Sequence, residues 1–355
     1  LMIGGATTSG LHTAVKLAPL YSHVFYGADA SAAAVNAKRY MMDPQAFENE
    51  QNLMQEELRN RYNSKKETRE ETASEAKPTE EIFAADTYLT QCPSDMPAME
   101  VPASDILPFF DWKLFYAIWG VKYGSAAPEA MELMQLRRDA EEEIAAGDFR
   151  IMLTVRFHNG ESDGTGIYFR HEGAEVRIPM LREENGRGRS LCDYVARKDS
   201  GAKTPFGMFA ISVSKASKAH EEGCCCPACS NRYEDMIGKT VRMTLAEAAS
   251  KWLDTQLVQD NIKIIKPAAG YSSCPDHTLK GDILNILSGE FSLGIKLTES
   301  YAMIPEASIC GMIFLHPEAR YSEIRRITKE QYDDYSQRRG MDEATARRFL
   351  GHLLK

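Results

Sequence analysis

Lys266-Pro-Ala-Ala-Gly-Tyr-Ser-Ser-Cys-Pro-Asp-His277 is the stretch on which the reading of the chain turns. Pro267 and Pro275 lack backbone donors and Gly270 admits conformations closed to other residues, so neither a helix nor a central strand runs through it. A loop whose turns are set by its own residues is more often functional than structural. This one carries a cation in Lys266, a flexible backbone at Gly270, an aromatic ring in Tyr271 and a titratable pair in Asp276 and His277. That set suits a small ligand with a carboxylate and a flat base.

Bulk composition narrows the rest. At 355 residues the chain has room for two domains, and 43% hydrophobic with 26% charged residues is the balance of a soluble globular protein. A net charge of −9 argues against a broad nucleic-acid or anionic-membrane surface, because neither counterion release nor lipid attraction would favour one. No apolar run approaches the roughly 20 residues of a membrane span, and the first residues lack the pattern of a signal peptide, so a cytoplasmic protein is expected. Cys92, Cys192, Cys274 and Cys310 are scattered, unlike a secreted disulfide framework, and reduced thiols are expected.

From the N-terminus, Leu1-Met-Ile3 reads as a strand ending at Gly4-Gly5, residues 11–18 as a helix, residues 23–26 as a second strand and the alanine-rich segment from Ser31 as a second helix. This β-α-β-α order belongs to a parallel sheet. Gly4, Gly5 and Ala30 either make tight turns or let a bulky ligand approach the strand ends. Asp43 and Pro44 open a mostly solvated helix that leads into a proline-marked passage between domains. Dense aromatics then surround Asp111, which must meet a cation, several donors or a helix terminus if it is buried there. Residues 129–146 read as an amphipathic helix with Met131, Met134, Leu136 and Ile144 in the core; residues 150–157, 166–169 and 175–179 read as strands of a meander. Residues 244–257 form another helix, with Leu245, Ala248, Ala249, Trp252 and Leu253 facing inward. Between these lies His220-Glu-Glu-Gly-Cys-Cys-Cys-Pro-Ala-Cys229. Cys226 and Cys229 have C-x-x-C spacing with Cys224 and His220 in reach, so the segment either holds a tetrahedral zinc or is a reduced, partly exposed loop.

The opening stretch, followed by Leu297-Thr-Glu-Ser-Tyr301, Pro305-Glu-Ala-Ser308 and His316-Pro-Glu-Ala-Arg-Tyr321, resembles in order and spacing the C-terminal activation region of cobalamin-dependent methionine synthase. Ile3-Gly-Gly-Ala-Thr-Thr-Ser9 and Asp29-Ala-Ser31 are similar to the last third of that family's cobalamin-binding domain. The resemblance implies residues 1–42 as the end of a cobalamin-binding domain, 43–100 as a helical linker and 101–355 as an activation domain that binds S-adenosylmethionine. The expected fold is α+β, a twisted, mainly antiparallel sheet with packed helices, preceded by a truncated Rossmann-like α/β fragment.

The same resemblance implies a methyltransferase context, with methyl transfer from methyltetrahydrofolate to homocysteine through methylcobalamin. The folate, homocysteine and cobalt-ligand segments are absent from this chain, as is the homocysteine domain in which that family's zinc is expected. The part present would support reductive remethylation of cobalamin from S-adenosylmethionine, with an electron from a flavodoxin-like or reductase donor. The competing expectation is a non-catalytic module that caps the corrinoid or docks the donor, or an activator of another corrinoid methyltransferase. By position, Asp111 takes the ligand's ammonium and Lys266, where the family has arginine, its carboxylate; Ala268, Tyr271, Tyr321 and Ser322 hold the adenosine side. Gly4, Gly5 and Ala30 face the corrinoid. His277 is either a corrinoid-side docking residue or a structural one, and His316 fixes a turn. A family glutamate at the end of the 244–257 helix falls on Thr255, which suggests that a contact to the ammonium is lost or moved, with Asp260 a candidate.

Overall fold

The computed structural model describes residues 1–3, 9–27, 30–73, 83–84, 87–120, 127–184, 188–216, 233–257 and 262–354. The chain divides into two units, Leu1–Lys77 and Pro78–Lys355. Gly4, Gly5, His220, Cys224, Cys226, Cys229 and Asp260 lie outside the described residues, as does the side chain of Ala30.

In the first unit β1 (Met2–Ile3) lies parallel to β2 (Phe25–Tyr26). A parallel pair needs a crossover, and α1 (Gly10–His12), continuing as a wider helical turn over residues 13–17, supplies it. Ser9 starts that helix by accepting the His12 N–H at 3.1 Å. Helices α2 (Ala30–Met42) and α3 (Pro44–Ala73) follow. The first part of α3 is mostly exposed, as expected, with a thin packed stripe. Phe47 is buried against the rings of Phe25 and Tyr40, the buried Gln55 donates to the Val24 carbonyl at 2.8 Å, and Arg59 donates to the Ala14 carbonyl at 3.1 Å.

The second unit is built on one antiparallel sheet. Its strands in chain order are β3 (Met96–Glu100), β4 (Phe149–Ser162), β5 (Gly166–His171), β6 (Ala174–Pro179), β7 (Thr204–Lys215) and β8 (Lys263–Ile265). A short separate pair, β9 (Lys296–Leu297) and β10 (Met303–Ile304), precedes the last strand of the main sheet, β11 (Ser308–His316). The sheet order is β6-β5-β4-β7-β11-β8, and β3, which lies inside the stretch read as linker, pairs with β4. Among the helices, α4 (Ala103–Ile106), α5 (Trp112–Ile118) and α6 (Ala127–Ala146) precede β4, and α7 (Tyr233–Leu257) follows β7. Between β8 and β9 lie α8 (Leu279–Ile286) and α9 (Gly289–Leu293); α10 (Lys329–Arg339) and α11 (Glu343–Leu350) close the chain.

Side chains alternate across a strand, and the two faces of this sheet bury different partners. Ile151, Leu153, Val155, Phe209, Ile211, Val213, Ile313 and Leu315 pack with α5, α6 and α7 in one core. Phe206, Met208, Ala210, Cys310, Met312 and Phe314 face α8 and the 266–278 loop in the other. With both faces covered, β7 is buried nearly end to end, which is why it reads as a continuous apolar run rather than an alternating one. On α6 the inward stripe is Leu133, Leu136, Ala140 and Ile144. Met131 and Met134, expected in the core, are 71% and 56% exposed because they fall outside that helical phase. Among the described residues, no helix is long and apolar enough to cross a membrane and no group of three or more His, Cys, Asp or Glu is placed to hold a metal.

His158 on β4 gives this sheet a pH response. It is buried beside Phe169 and Phe206, and its Nε2 lies 3.3 Å from Nδ1 of His171. Burial first, then His171 and Arg156, push its pKa down from 6.5 to about 4, against the opposing pull of Asp95. Between those values the unfolded chain binds the extra proton, so stability falls as pH drops through that window. Urea unfolding at pH 4.5 should read about 2 to 3 kcal/mol below the neutral value from this group. His158→Phe should flatten that part of the profile; an unchanged profile would rule out the assignment.

Candidate functional site

The 266–277 segment is irregular, as its prolines and glycine require, and it is seated on the sheet by backbone bonds. Met312 N–H donates to the Pro267 carbonyl at 3.1 Å and Ala269 N–H to the Cys310 carbonyl at 3.2 Å. Ala268 is bridged to Gly311 on β11 and its carbonyl accepts from Tyr271 N–H at 3.2 Å. Gly270 has φ +95°, and a Cβ there would come within 2.5 Å of the His277 ring. Downstream, Ile324 N–H donates to the Ser272 carbonyl at 2.8 Å, and the Tyr194 hydroxyl braces the corner by donating to the Arg320 carbonyl at 3.0 Å. Tyr271 and Tyr321 are thus carried on two loops tied to each other, both with exposed rings, and Ser322 is buried beside Tyr321.

Alternation along β8 decides where Lys266 points. Ile264 packs on the α7 side and Ile265 on the opposite side, so Lys266 returns to α7. Its ammonium donates to the Ser250 carbonyl and pairs with Asp254 at 2.7 Å, while its backbone N–H donates to the Tyr321 hydroxyl at 2.9 Å. Burial lowers the Lys266 pKa, and Asp254 and Glu247 oppose that shift.

Asp111 reaches the same helix from the other direction. It caps α5 by accepting from Lys113 and Leu114 N–H at 3.0 and 3.2 Å, and it pairs with Lys251 at 2.7 Å. The Lys251 bond, then the Leu114 N–H, hold its carboxyl below the usual range. With 35% of its side chain exposed, Asp111 is not buried among the aromatic rings, and it acts as helix cap and ion-pair partner together. Asp111 and Lys266 are therefore joined through α7, whose residues 247, 250, 251 and 254 share one face at helical spacing.

That face carries a residue that sequence reading passed over. Glu247 lies one turn before Lys251, and its carboxyl is raised by burial, with Lys251 and Lys266 opposing. After burial, its charge adds to the raised pKa of Tyr271 and, more weakly, of Tyr321, so it lies within electrostatic reach of the loop tyrosines. The signal available in the sequence was the spacing Glu247, Lys251, Asp254 opposite the apolar stripe of α7. Thr255 donates to the Trp252 carbonyl at 2.7 Å and accepts from Gln256 Nε2 at 3.0 Å.

Other candidates go elsewhere. Asp276, read as a titratable partner of His277, is fully buried and engaged by Tyr335, Arg339 and Thr278. His277 instead meets Lys280, whose ammonium is 3.2 Å from its Nδ1, and burial followed by Lys280 lowers its pKa. His316 does secure a turn: its Nδ1 accepts from Glu318 N–H at 3.1 Å, which leaves the proton on Nε2, 3.1 Å from Thr87 Oγ1.

The result is a ledge of alternating charges on α7, Glu247, Lys251 and Asp254, faced by Asp111, Lys266 and two exposed tyrosines. Residues 102–340 match the family described as "Vitamin B12 dependent methionine synthase, activation domain". Among solved structures, the crystal structure of the MetH reactivation domain bound to AdoHcy is similar to this chain with a TM-score of 0.67 and 26% sequence identity, over 80% of this chain and 97% of that one. That domain shares the arrangement of helices on a mainly antiparallel sheet. By the extent of the family match, the chain belongs to the activation-domain family of vitamin B12-dependent methionine synthases.

Proposed function

We propose that the ledge binds S-adenosylmethionine (AdoMet) and that the chain, joined to the remainder of a cobalamin domain, supports reductive remethylation of cobalamin with an electron from a flavodoxin-like or reductase donor. The observation that carries the reading is the meeting of Asp111, Lys266 and the Glu247 face of α7 beside Tyr271 and Tyr321. AdoMet has a zwitterionic amino-acid head, a sulfonium and an adenosine tail. Such a ligand asks for a cation, carboxylates and a rim of hydrogen-bonding and aromatic groups. Lys266 answers the carboxylate, Asp111 and Glu247 the ammonium, and the Ala268 backbone with Tyr271, Tyr321 and Ser322 the adenosine. The AdoHcy held by the similar reactivation domain is the demethylated form of the same ligand.

Gly4, Gly5 and the side chain of Ala30 lie outside the described residues, so their part in holding a corrinoid rests on the resemblance alone. Among the described residues, strands β1 and β2 have two residues each, short of the sheet that a corrinoid crevice is built on. AdoMet supplies the methyl group, and the residues of this chain bind and orient it; the catalytic step is assigned to no side chain here.

Titration calorimetry of AdoMet against the whole chain tests the site. Asp111→Ala and Glu247→Gln should each weaken binding by roughly 10- to 100-fold, the size of a lost hydrogen bond to a charged group. Glu247, with the raised carboxyl, should protonate first as pH falls, so its share of the affinity goes before that of Asp111. No heat with millimolar AdoMet would favour the non-catalytic docking module.

A further inference from the structure

We propose that Asp254 is an internal stand-in for the ligand's carboxylate: it occupies the Lys266 ammonium in the free protein and must be displaced before an amino-acid head group can reach that cation. The proposal rests on the reading of the ledge as an AdoMet site. Lys266 has 5% of its side chain exposed and Asp254 has 47%, with 2.7 Å between them, so the carboxylate covers the ammonium from the solvent side. At 2.7 Å the pair is within hydrogen-bond length, and Lys266 also donates to the Ser250 carbonyl.

An acid with 47% of its side chain open to water is placed to exchange with a second carboxylate. Carboxylates oppose the effect of burial on the Lys266 ammonium, so one that leaves has to be replaced by another. Asp111 is also paired, in a more exposed ion pair with Lys251 at 2.7 Å and while capping α5, and an ammonium would take the place of Lys251. A zwitterionic head group therefore enters by trading two internal ion pairs for two external ones, and Asp254 sets the cost of the carboxylate half.

Generic electrostatics predicts the opposite sign for a test. AdoMet carries a net positive charge, so deleting a nearby carboxylate should weaken its binding. Calorimetric titration of AdoMet into the whole chain should instead show Asp254→Asn binding on the order of tenfold tighter than the wild type. Binding of 5′-methylthioadenosine, which lacks the amino-acid head, should be unchanged, and the gain should vanish in a Lys266→Met background. Unchanged or weaker AdoMet binding by Asp254→Asn, or a gain that persists without Lys266, overturns the proposal while the AdoMet site stands. If neither wild type nor variant takes up AdoMet, both readings fall. Asp254→Ser supplies a second variant should the asparagine alter the melting temperature.

Discussion

Asp276→Ala should destabilise the second unit by about 3 to 5 kcal/mol, the usual penalty for breaking a buried, hydrogen-bonded ion pair from one side. The carboxylate is 1% exposed and accepts from the Tyr335 hydroxyl at 2.9 Å, Arg339 Nε at 3.1 Å, and Thr278 N–H and Oγ1 at 2.8 and 2.7 Å. Arg339 also pairs with Asp282 at 2.6 Å and donates to Thr278 Oγ1 at 2.8 Å. Loss of the carboxylate strands the Tyr335 hydroxyl in a wholly buried position. That phenol, raised well above its ordinary pKa by burial, remains a donor with no acceptor. It also leaves Arg339 half paired. The damage should spread to α10 and α11, whose buried face includes Tyr335 and Leu350, and to the turn that carries Tyr271. Urea unfolding followed by tryptophan fluorescence reads the loss. Asp276→Asn, which keeps the volume and one acceptor, should lose roughly half as much, as expected where hydrogen bonding and charge contribute comparably. A change below about 1 kcal/mol in the alanine variant would mean the network is relaxed by water and contributes little.

The irregular loop was legible because proline and glycine act locally: Pro267, Gly270 and Pro275 need no tertiary context to forbid a helix. Lys266 was legible as a cation for the same reason. Its partner was not, since the pairing with Asp254 depends on β8 turning residue 266 toward α7, a relation of strand phase that the short apolar run around Ile264 does not announce. Glu247 is not announced by the sequence, because the apolar stripe of α7 marks its inward side and nothing local shows what its polar side faces. Central strand β11 carries Ile309-Cys-Gly-Met-Ile-Phe-Leu315, a continuous apolar run of the kind that a doubly covered strand shows, yet only its flanking motifs were read. Asp276 illustrates the limit of local reading. It was linked to the adjacent His277, whereas its partners Tyr335 and Arg339 lie 59 and 63 residues downstream. Met131 and Met134 show the reverse error, an apolar residue type taken for burial without checking its helical phase.

Gly311→Ala should unseat the ligand loop from the sheet, and of the single methyl additions it should do most harm to the site. A Cβ at this position would stand 2.4 Å from the Pro267 carbonyl oxygen, 2.8 Å from Ala268 Cα and 3.0 Å from the Phe209 ring. Two of these contacts are backbone, so relief cannot come from a rotamer change; the loop itself has to lift. Lifting it breaks the bonds from Met312 N–H to the Pro267 carbonyl and from Ala269 N–H to the Cys310 carbonyl. Overpacking and two lost hydrogen bonds together come to about 2 to 4 kcal/mol. Lys266 and Tyr321 are joined through the first residue of that loop, so their geometry moves with it, and AdoMet affinity should fall by more than tenfold even where the chain remains folded. Gly281→Ala on α8 is the matched control. Its Cβ would meet only the Tyr301 ring at 3.5 Å, an ordinary contact, and a helical alanine in place of glycine should be neutral or stabilising by up to about 1 kcal/mol. Thermal melting and AdoMet titration of the two variants side by side separate a general intolerance of added methyls from a demand at the loop's seat: equal losses would point to the former, and an unaffected Gly311→Ala would mean that the loop is not held by β11 in the way its hydrogen bonds imply.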